Sequence, residues 1–551
     1  MKVTHRHLLI TLLSSSALFA CSPEETSSAN FGAASPEGHY TGSQTDHSSR
    51  IASDPDDYYA AGGQEGGSAY QDEEEPIVVE ESPQVNPEVD SAEDNLITFA
   101  VDVDTASYAI ARSELMRGYL PRPGLIRTEE FINYFDYRDE APESEEEGPF
   151  AVSMELGASP FGGSRKLLRV GVKGYEVASD ERPAANIIFL LDVSGSMNSD
   201  DKLGLVKQSM SLMLDNLNGT DTVGIITYAG ADRVVLEPTE ATERETISHA
   251  INNLSSGGGT NGAAGITTAY ELAQQHFITG GINRIILCTD GDFNVGVRGE
   301  ELYQLIEEKR EEGVTVSVFG FGMRGAYNDG QMEQIADRGN GNYAFIDTLA
   351  EAQRALVDRL TSTIFTIAKD VKLQLEVNPL LVKAHRLLGY ENRAIADEDF
   401  RDDTVDAGEI GAGHTVTALI ELQLHPEGEA PSLDSFTDSE IDEAFLNADA
   451  PLSVLRIRSK APDATAEDSA KEQRFELGLS ALIEDINETS QAFRFSAAVA
   501  ELAEILRESP FAEDADFEAL INLAEASVID ADPTMLEFIE IARIAQDLTL
   551  R

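Results

Sequence analysis

The sequence predicts an α/β protein centred on a doubly wound, mostly parallel sheet, with a flanking N-terminal α+β region and a C-terminal β element followed by helices. Three observations predict this. Apolar runs at Asn186-Ile187-Ile188-Phe189-Leu190-Leu191, Ile285-Ile286-Leu287-Cys288 and Val314-Thr315-Val316-Ser317-Val318-Phe319-Gly320 read as strands buried on both faces, with amphipathic helical spacing between them. From Val371 the apolar spacing shifts to two, through Leu373, Leu375 and Val377. Residues 477–548 return to helical spacing, and 551 residues are more than a single core accommodates.

In chain order, residues 1–20 read as a processing signal: Lys2 and Arg6, an apolar stretch too short to span a bilayer, then Leu18-Phe19-Ala20-Cys21. Residues 21–94 are rich in Ser, Gly, Glu, Asp and Pro with almost no apolar periodicity, the composition of a disordered acidic tether. Order is expected from the apolar strand that begins at Asn95-Leu96-Ile97. Helical spacing then alternates with the Leu120-Pro121-Arg122-Pro123-Gly124 turn, and Leu167 to Gly174 reads as a strand and turn.

Within residues 181–365, Leu203, Val206, Met210, Leu214 and Leu217 form the apolar face of a helix, in which Met210 and Met213 are core residues. Val223-Gly224-Ile225-Ile226-Thr227-Tyr228 and Val234-Val235-Leu236 read as strands, and helices follow near residues 247–254, 264–277 and 300–311. His276 is a helix-end residue, and Cys288 a small core residue with no histidine nearby in sequence. Residues 339–346 and 349–360 supply the last strand and helix. Farther on, Thr415 to Leu422 is a strand, and the segment holding Glu409 and His414 is glycine-rich turn chemistry rather than a catalytic pair.

Chemistry concentrates at Asp192-Val193-Ser194-Gly195-Ser196, straight after a predicted strand. A carboxylate and two hydroxyls at alternating positions can aim three oxygens at one point, and oxygen donors select Mg²⁺, Mn²⁺ or Ca²⁺ over softer metals. Ser256-Gly257-Gly258-Gly259-Thr260-Asn261 adds a glycine-rich loop ending in a hydroxyl, and Thr289-Asp290-Gly291-Asp292 ends a second strand in carboxylates. Both aspartates fall at carboxyl ends of strands, where open α/β sheets bind ligands.

These three segments in this order resemble the metal-ion-dependent adhesion site of the von Willebrand factor type A (VWA) family. The resemblance implies that Ser194, Ser196 and Thr260 bind the metal, with Asp192 and Asp290 acting directly or through water; Asp292 is a candidate to support those ligands from behind. It also implies a divalent cation, Mg²⁺ ahead of Mn²⁺ or Ca²⁺, and a protein ligand presenting an acidic side chain. Asp102-Val103-Asp104-Thr105-Ala106-Ser107-Tyr108, Glu130-Phe131-Ile132-Asn133-Tyr134-Phe135, Gly389-Tyr390-Glu391-Asn392-Arg393 and Asp406 to Thr415 resemble YfbK-like VWA proteins of bacteria. Asp102-x-Asp104 also resembles the aspartate pair of haloacid-dehalogenase-type phosphatases, but Ala106 stands where that pattern has threonine. Leu18-Phe19-Ala20-Cys21 resembles the bacterial lipobox, implying cleavage before Cys21 and its acylation; Ser22 rather than aspartate favours the outer membrane.

The expected organisation is thus a lipoprotein signal peptide (1–20), a tether (21–94), an N-terminal VWA-associated region (95–180), a VWA domain (181–365) and a YfbK-type C-terminal domain (366–551). Its 99 acidic against 40 basic side chains, net −59, exclude a general nucleic-acid binder. The expected function is that of a lipid-anchored binding module of the cell envelope with no catalytic residues. The alternatives are a Mg²⁺-dependent hydrolase and an adaptor for a chaperone-like ATPase; the chain itself has no Walker motif.

Overall fold

The computed structural model describes residues 85–550 except 102–103, 144–147, 162, 179–180, 259–261, 292–298, 323–327, 406, 465–467, 514 and most of 427–449. The expected signal peptide, Cys21 and most of the expected tether lie outside the described residues.

The chain begins with β1 (Val89–Asp90) and β2 (Leu96–Ala100). Here the structure differs from the sequence expectation, which places residues up to 94 in a tether. Asn86 donates to the Leu387 and Gly389 carbonyls at 3.2 and 2.7 Å, and Val89 and Asp90 pair with His385 and Ala384. The attachment is made by backbone and amide hydrogen bonds rather than by an apolar face, so it leaves no periodic pattern in the sequence.

Next come α1 (Ala106–Met116), α2 (Thr128–Asn133), β3 (Phe150–Ala158) and β4 (Lys166–Gly174). The central α/β unit follows: β5 (Ala185–Asp192), α3 (Leu205–Asp215), β6 (Thr222–Tyr228), β7 (Asp232–Glu240), α4 (Arg244–Asn252), α5 (Gly262–Gln275) and β8 (Ile282–Thr289). It is completed by α6 (Glu300–Glu311), β9 (Thr315–Phe321), α7 (Asp329–Arg338), β10 (Tyr343–Ile346), α8 (Leu349–Gln353) and α9 (Leu360–Ile364). Its sheet runs β10-β9-β8-β5-β6-β7, parallel throughout except for β7.

Apart from the edge strand β7, both faces of this sheet are buried, which is why its strands read as nearly continuous apolar runs. Ile187, Phe189 and Leu191 of β5 join a core with Met210 and Met213 of α3 and Ile247 and Ile251 of α4. Ile188 and Leu190 point the other way, toward Ile266 and Tyr270 of α5, Leu302 and Ile306 of α6, and Met332 of α7. Ala106, Ala109 and Ile110 of α1 belong to that second core. Part of the N-terminal region therefore covers the central sheet.

The remaining elements are β11 (Thr366–Val377), β12 (Val382–Leu388), β13 (Gly408–Gly411), β14 (Thr415–Leu424), β15 (Ser453–Lys460), β16 (Lys471–Leu477), α10 (Gln491–Leu506), α11 (Phe517–Glu525) and α12 (Pro533–Thr549). Strands from before and after the central unit share sheets. One sheet runs β1-β12-β14-β4-β3; the other runs β13-β11-β15-β16 with β2 also paired to β11. The two enclose one core that includes Val170, Val172, Leu373, Leu375, Val416 and Ile420. The helices α10, α11 and α12 pack with α1 and α2 in a further core around Phe135, Phe495 and Phe538. Among the described residues, no helix is long and apolar enough to cross a membrane.

Buried ion pairs join these layers. Arg112 of α1 bonds Asp347 and Glu351 of the central unit, Tyr134 at 2.6 Å and Glu537 of α12 at 3.1 Å. Glu351 also accepts from Tyr134 at 2.5 Å and from Arg354 at 3.0 Å. Burial acts to raise the Glu351 carboxyl, but Arg354 and Arg112 outweigh it and bring the group from its ordinary 4.5 down to about 2. A carboxyl depressed in this way contributes stability that is whole above pH 4.5 and lost as pH falls toward 2.

Replacing Glu351 with alanine leaves Arg112 and Arg354 buried without that charge. The expected cost is about 3–5 kcal/mol, read as a lower thermal midpoint at pH 7. The difference from the unsubstituted protein should shrink as pH is lowered from 4.5 toward 2.

Candidate functional site

The D-x-S-x-S segment leaves the central sheet at the carboxyl end of β5, and Asp290 follows β8, the strand beside it. Leu191 and Cys288 are register partners, so both strands deliver their aspartates to the same edge of the sheet. Asp192 is fully buried and Asp290 is 5% exposed. The Asp192 Oδ1 accepts the Ser194 backbone N–H at 2.7 Å, which closes the turn and brings the Ser194 hydroxyl to 2.8 Å from that of Ser196. Ser194 is buried whereas Ser196 is exposed, so the oxygens descend from the surface to the sheet end.

Local packing sets this loop. A 3₁₀ turn, Gly195–Met197, buries Met197 in the core below, and a π-helical turn, Asp200–Gly204, leads into α3. The glycine loop is tied alongside: the Gly257 N–H donates to the Val193 carbonyl at 2.8 Å, and Gly195 donates to Gly258 at 3.2 Å. Gly258 adopts φ +95°, a conformation that disfavours any other residue. Thr260 and Asp292 lie outside the described residues, so the structure brings together Asp192, Ser194, Ser196 and Asp290 of the expected set.

Beneath the loop lies Tyr228, fully buried at the end of β6. Burial pushes its hydroxyl well above the ordinary range, and the charges of Asp192 and Asp290 push it further, against a hydrogen bond to Thr289. The phenol stays protonated, a neutral floor that feels both carboxylates.

Lys202 is a neighbour of the site that the motif reading missed. Its Nζ donates to Asp290 Oδ2 at 2.7 Å with both side chains buried. The signal was its spacing: Lys202 stands three and four residues before Leu205 and Val206, on the buried stripe of the helix. The other Asp290 oxygen, Oδ1, is buried with no hydrogen-bond partner among the described residues, which an oxygen meant for a cation or its water would show.

The donor set fits a hard divalent cation: two carboxylates and two hydroxyls, with no thiol or imidazole among them. Among the described residues, no group of three or more His, Cys, Asp and Glu side chains gathers at one point. Any site here depends on the serine hydroxyls as well as the acids.

Other residues named from sequence settle into structural roles. Cys288 is buried, and burial raises its thiol far above the ordinary value. His414 is buried, held well below its usual range by burial and by Arg359. Asp104 accepts the Tyr343 N–H at 2.7 Å and pairs with Arg393 at 3.3 Å, while Asp102 lies outside the described residues.

The fold and strand-end oxygens define a von Willebrand A-type domain, and residues 186–359 match the family described as von Willebrand factor type A domain. Residues 362–548 match the family described as Uncharacterized protein YfbK, C-terminal, and residues 80–169 match von Willebrand factor. The chain is 40% identical to the uncharacterized protein YfbK of Escherichia coli K12 over 473 residues, covering 84% of this chain and 80% of that protein. It belongs to the YfbK family of VWA-domain proteins. It is also 26% identical over 200 residues to the calcium-activated chloride channel regulator 1 of Bos taurus, covering 36% of this chain and 21% of that one. A solved structure, the von Willebrand factor type A protein of Catenulispora acidiphila, is 16% identical over 71% of this chain and 88% of its own, with a TM-score of 0.39.

The buried thiol gives a direct check. In the Cys21→Ser protein, Cys288 should not react with Ellman's reagent in the native state and should titrate fully once the chain is unfolded. Rapid native labelling would mean that β8 is accessible from the site.

Proposed function

We propose that this protein is a lipid-anchored binding module of the bacterial cell envelope, whose A domain holds a divalent cation at Asp192, Ser194, Ser196, Thr260 and Asp290 and, through it, an acidic side chain of a protein partner. The observation that carries the reading is the buried Oδ1 of Asp290, without a hydrogen bond among the described residues, at the same sheet edge as the paired serine hydroxyls. When bound, the cation, Mg²⁺ ahead of Mn²⁺ or Ca²⁺, supplies a Lewis-acidic position to which a carboxylate of the partner adds. Ser194 and Ser196 would give up little charge from their neutral oxygens, so the site would keep its attraction for an acidic group. Asp192 and the backbone ties to Gly257 and Gly258 keep the loop in place before any ligand arrives. Family membership supports a role in protein interaction; the partner is identified only by its acidic chemistry.

The anchor rests on Leu18-Phe19-Ala20-Cys21, and the outer membrane is favoured by Ser22. A strongly acidic chain is repelled by anionic lipid, so acylation of Cys21 would have to hold the protein at the bilayer.

Calorimetric titration with Mg²⁺ should give saturable binding in the unsubstituted protein and none in a variant carrying both Asp192→Ala and Ser196→Ala with an unchanged circular dichroism spectrum. Equal affinity in the two proteins would remove the site. An envelope protein retained on the immobilised chain with Mg²⁺ and released by chelator is the expected second result; retention that ignores chelator would defeat the metal-bridged contact. For the anchor, Cys21→Ser should move the protein from the membrane to the soluble fraction and abolish incorporation of labelled palmitate.

A further inference from the structure

We propose that Lys202 is a built-in cation of the metal site, setting its charge so that the divalent ion is held loosely by the protein alone and firmly once an acidic ligand completes it. The inference rests on the metal-binding reading above and deepens it.

Geometry carries the argument. The Lys202 Nζ lies 2.7 Å from Asp290 Oδ2, and the two side chains are 5% and 3% exposed, so neither water nor salt screens the pair as it would at the surface. The lysine is aimed there by construction. Its aliphatic stem crosses Gly322, just beyond the end of β9, where an added Cβ would overlap the lysine Cγ and stand 2.8 Å from its Cε. Gly322 has φ +63°, so a larger residue is disfavoured by both the backbone and the lysine stem. The ammonium sits on one oxygen of Asp290 while the other, Oδ1, remains without a hydrogen bond among the described residues. Lys202 therefore orients the carboxylate without using up its second oxygen.

The charge count gives the consequence. Asp192 and Asp290 contribute two negative charges and Lys202 one positive, leaving the protein's share of the site one negative unit. A divalent ion there retains one positive charge, which a single carboxylate of a partner neutralises. Without the lysine, the two aspartates would neutralise the ion by themselves, giving tighter metal binding and little remaining attraction for an acidic ligand. A lysine with only a structural role would instead lower stability when removed and leave metal affinity unchanged.

The test uses the full chain, unsubstituted and as Lys202→Met, with Lys202→Gln as the variant that keeps a hydrogen bond to Asp290 and so protects the fold. Mn²⁺ alone is the first probe, titrated by calorimetry and by electron paramagnetic resonance. Removal of the charge should tighten Mn²⁺ binding about tenfold or more. Melting in chelator should fall below that of the unsubstituted protein, and saturating Mn²⁺ should raise it by more than in that protein. Acetate, the second probe, should enhance Mn²⁺ affinity in the unsubstituted protein and much less in either variant. Mn²⁺ affinity that is unchanged or weaker in both variants, while Asp192→Ala still abolishes it, overturns the role of Lys202 and leaves the metal site standing. Absence of Mn²⁺ binding in all of these proteins overturns the metal reading and this inference together.

Discussion

A carboxylate carried beneath a protein surface must be given partners, and the carboxyl edge of the central sheet is arranged around that requirement. Asp192 is fully buried because β5 is buried on both faces to its last residue. The first N–H it captures belongs to Ser194, and that bond fixes the turn presenting both serine hydroxyls. Asp290 meets the same requirement differently, by recruiting Lys202 from the π-helical turn before α3. One acid is held by backbone and the other, through one of its oxygens, by an ammonium, and the loop between β5 and α3 supplies both. The D-x-S-x-S turn, the π-helical turn and the first turn of α3 consequently form one mechanical piece rather than a motif followed by a helix.

The same requirement operates away from the site, where it holds the layers together. Arg112, Tyr134, Glu351 and Arg354 connect α1 and α2 to the last helices of the central unit, and Arg127 reaches Asp329 at 2.5 Å. Arg386 of β12 bonds Glu421 of β14 and Glu504 of α10, each at 2.9 Å. Such pairs add little net stability relative to apolar packing, because each ion had to be dehydrated. Their geometry, however, admits few alternative dockings, and that constrains which faces meet.

The central sheet was legible because strands with two buried faces cannot hide: the runs at Ile187, Ile285 and Val316 are apolar nearly throughout, and the small Ser317 does not break the pattern. The oxygen set was legible for a related reason, since polar groups at strand ends stand out against those runs. What escaped notice is polar in sequence and buried or paired in space. β12 carries His385 and Arg386, both buried, so its pattern reads as mixed. β16, at the edge of its sheet, opens with Lys471, Glu472, Gln473 and Arg474, charges suited to an edge that discourages further pairing. α7 shows only Met332, Ile335 and Ala336 as an apolar face. Lys202 escaped because a charge on an apolar stripe looks like an interruption until its partner across the sheet end is known.

The pairing of β4 with β14, and of β2 with β11, brings together strands that lie on opposite sides of the central unit in sequence. During synthesis, the A-type sheet can emerge complete while β2 still awaits β11 and the β3–β4 pair still awaits β14, neither of which has left the ribosome. Their open edges must wait until the C-terminal segment arrives, and the loop then closed contains an already folded body rather than flexible chain, a search governed by topology more than by local propensity. The outer sheets are therefore a late clasp around an early core, and a chain cut short after α9 would retain the D-x-S-x-S loop but leave open edges where the clasp should be.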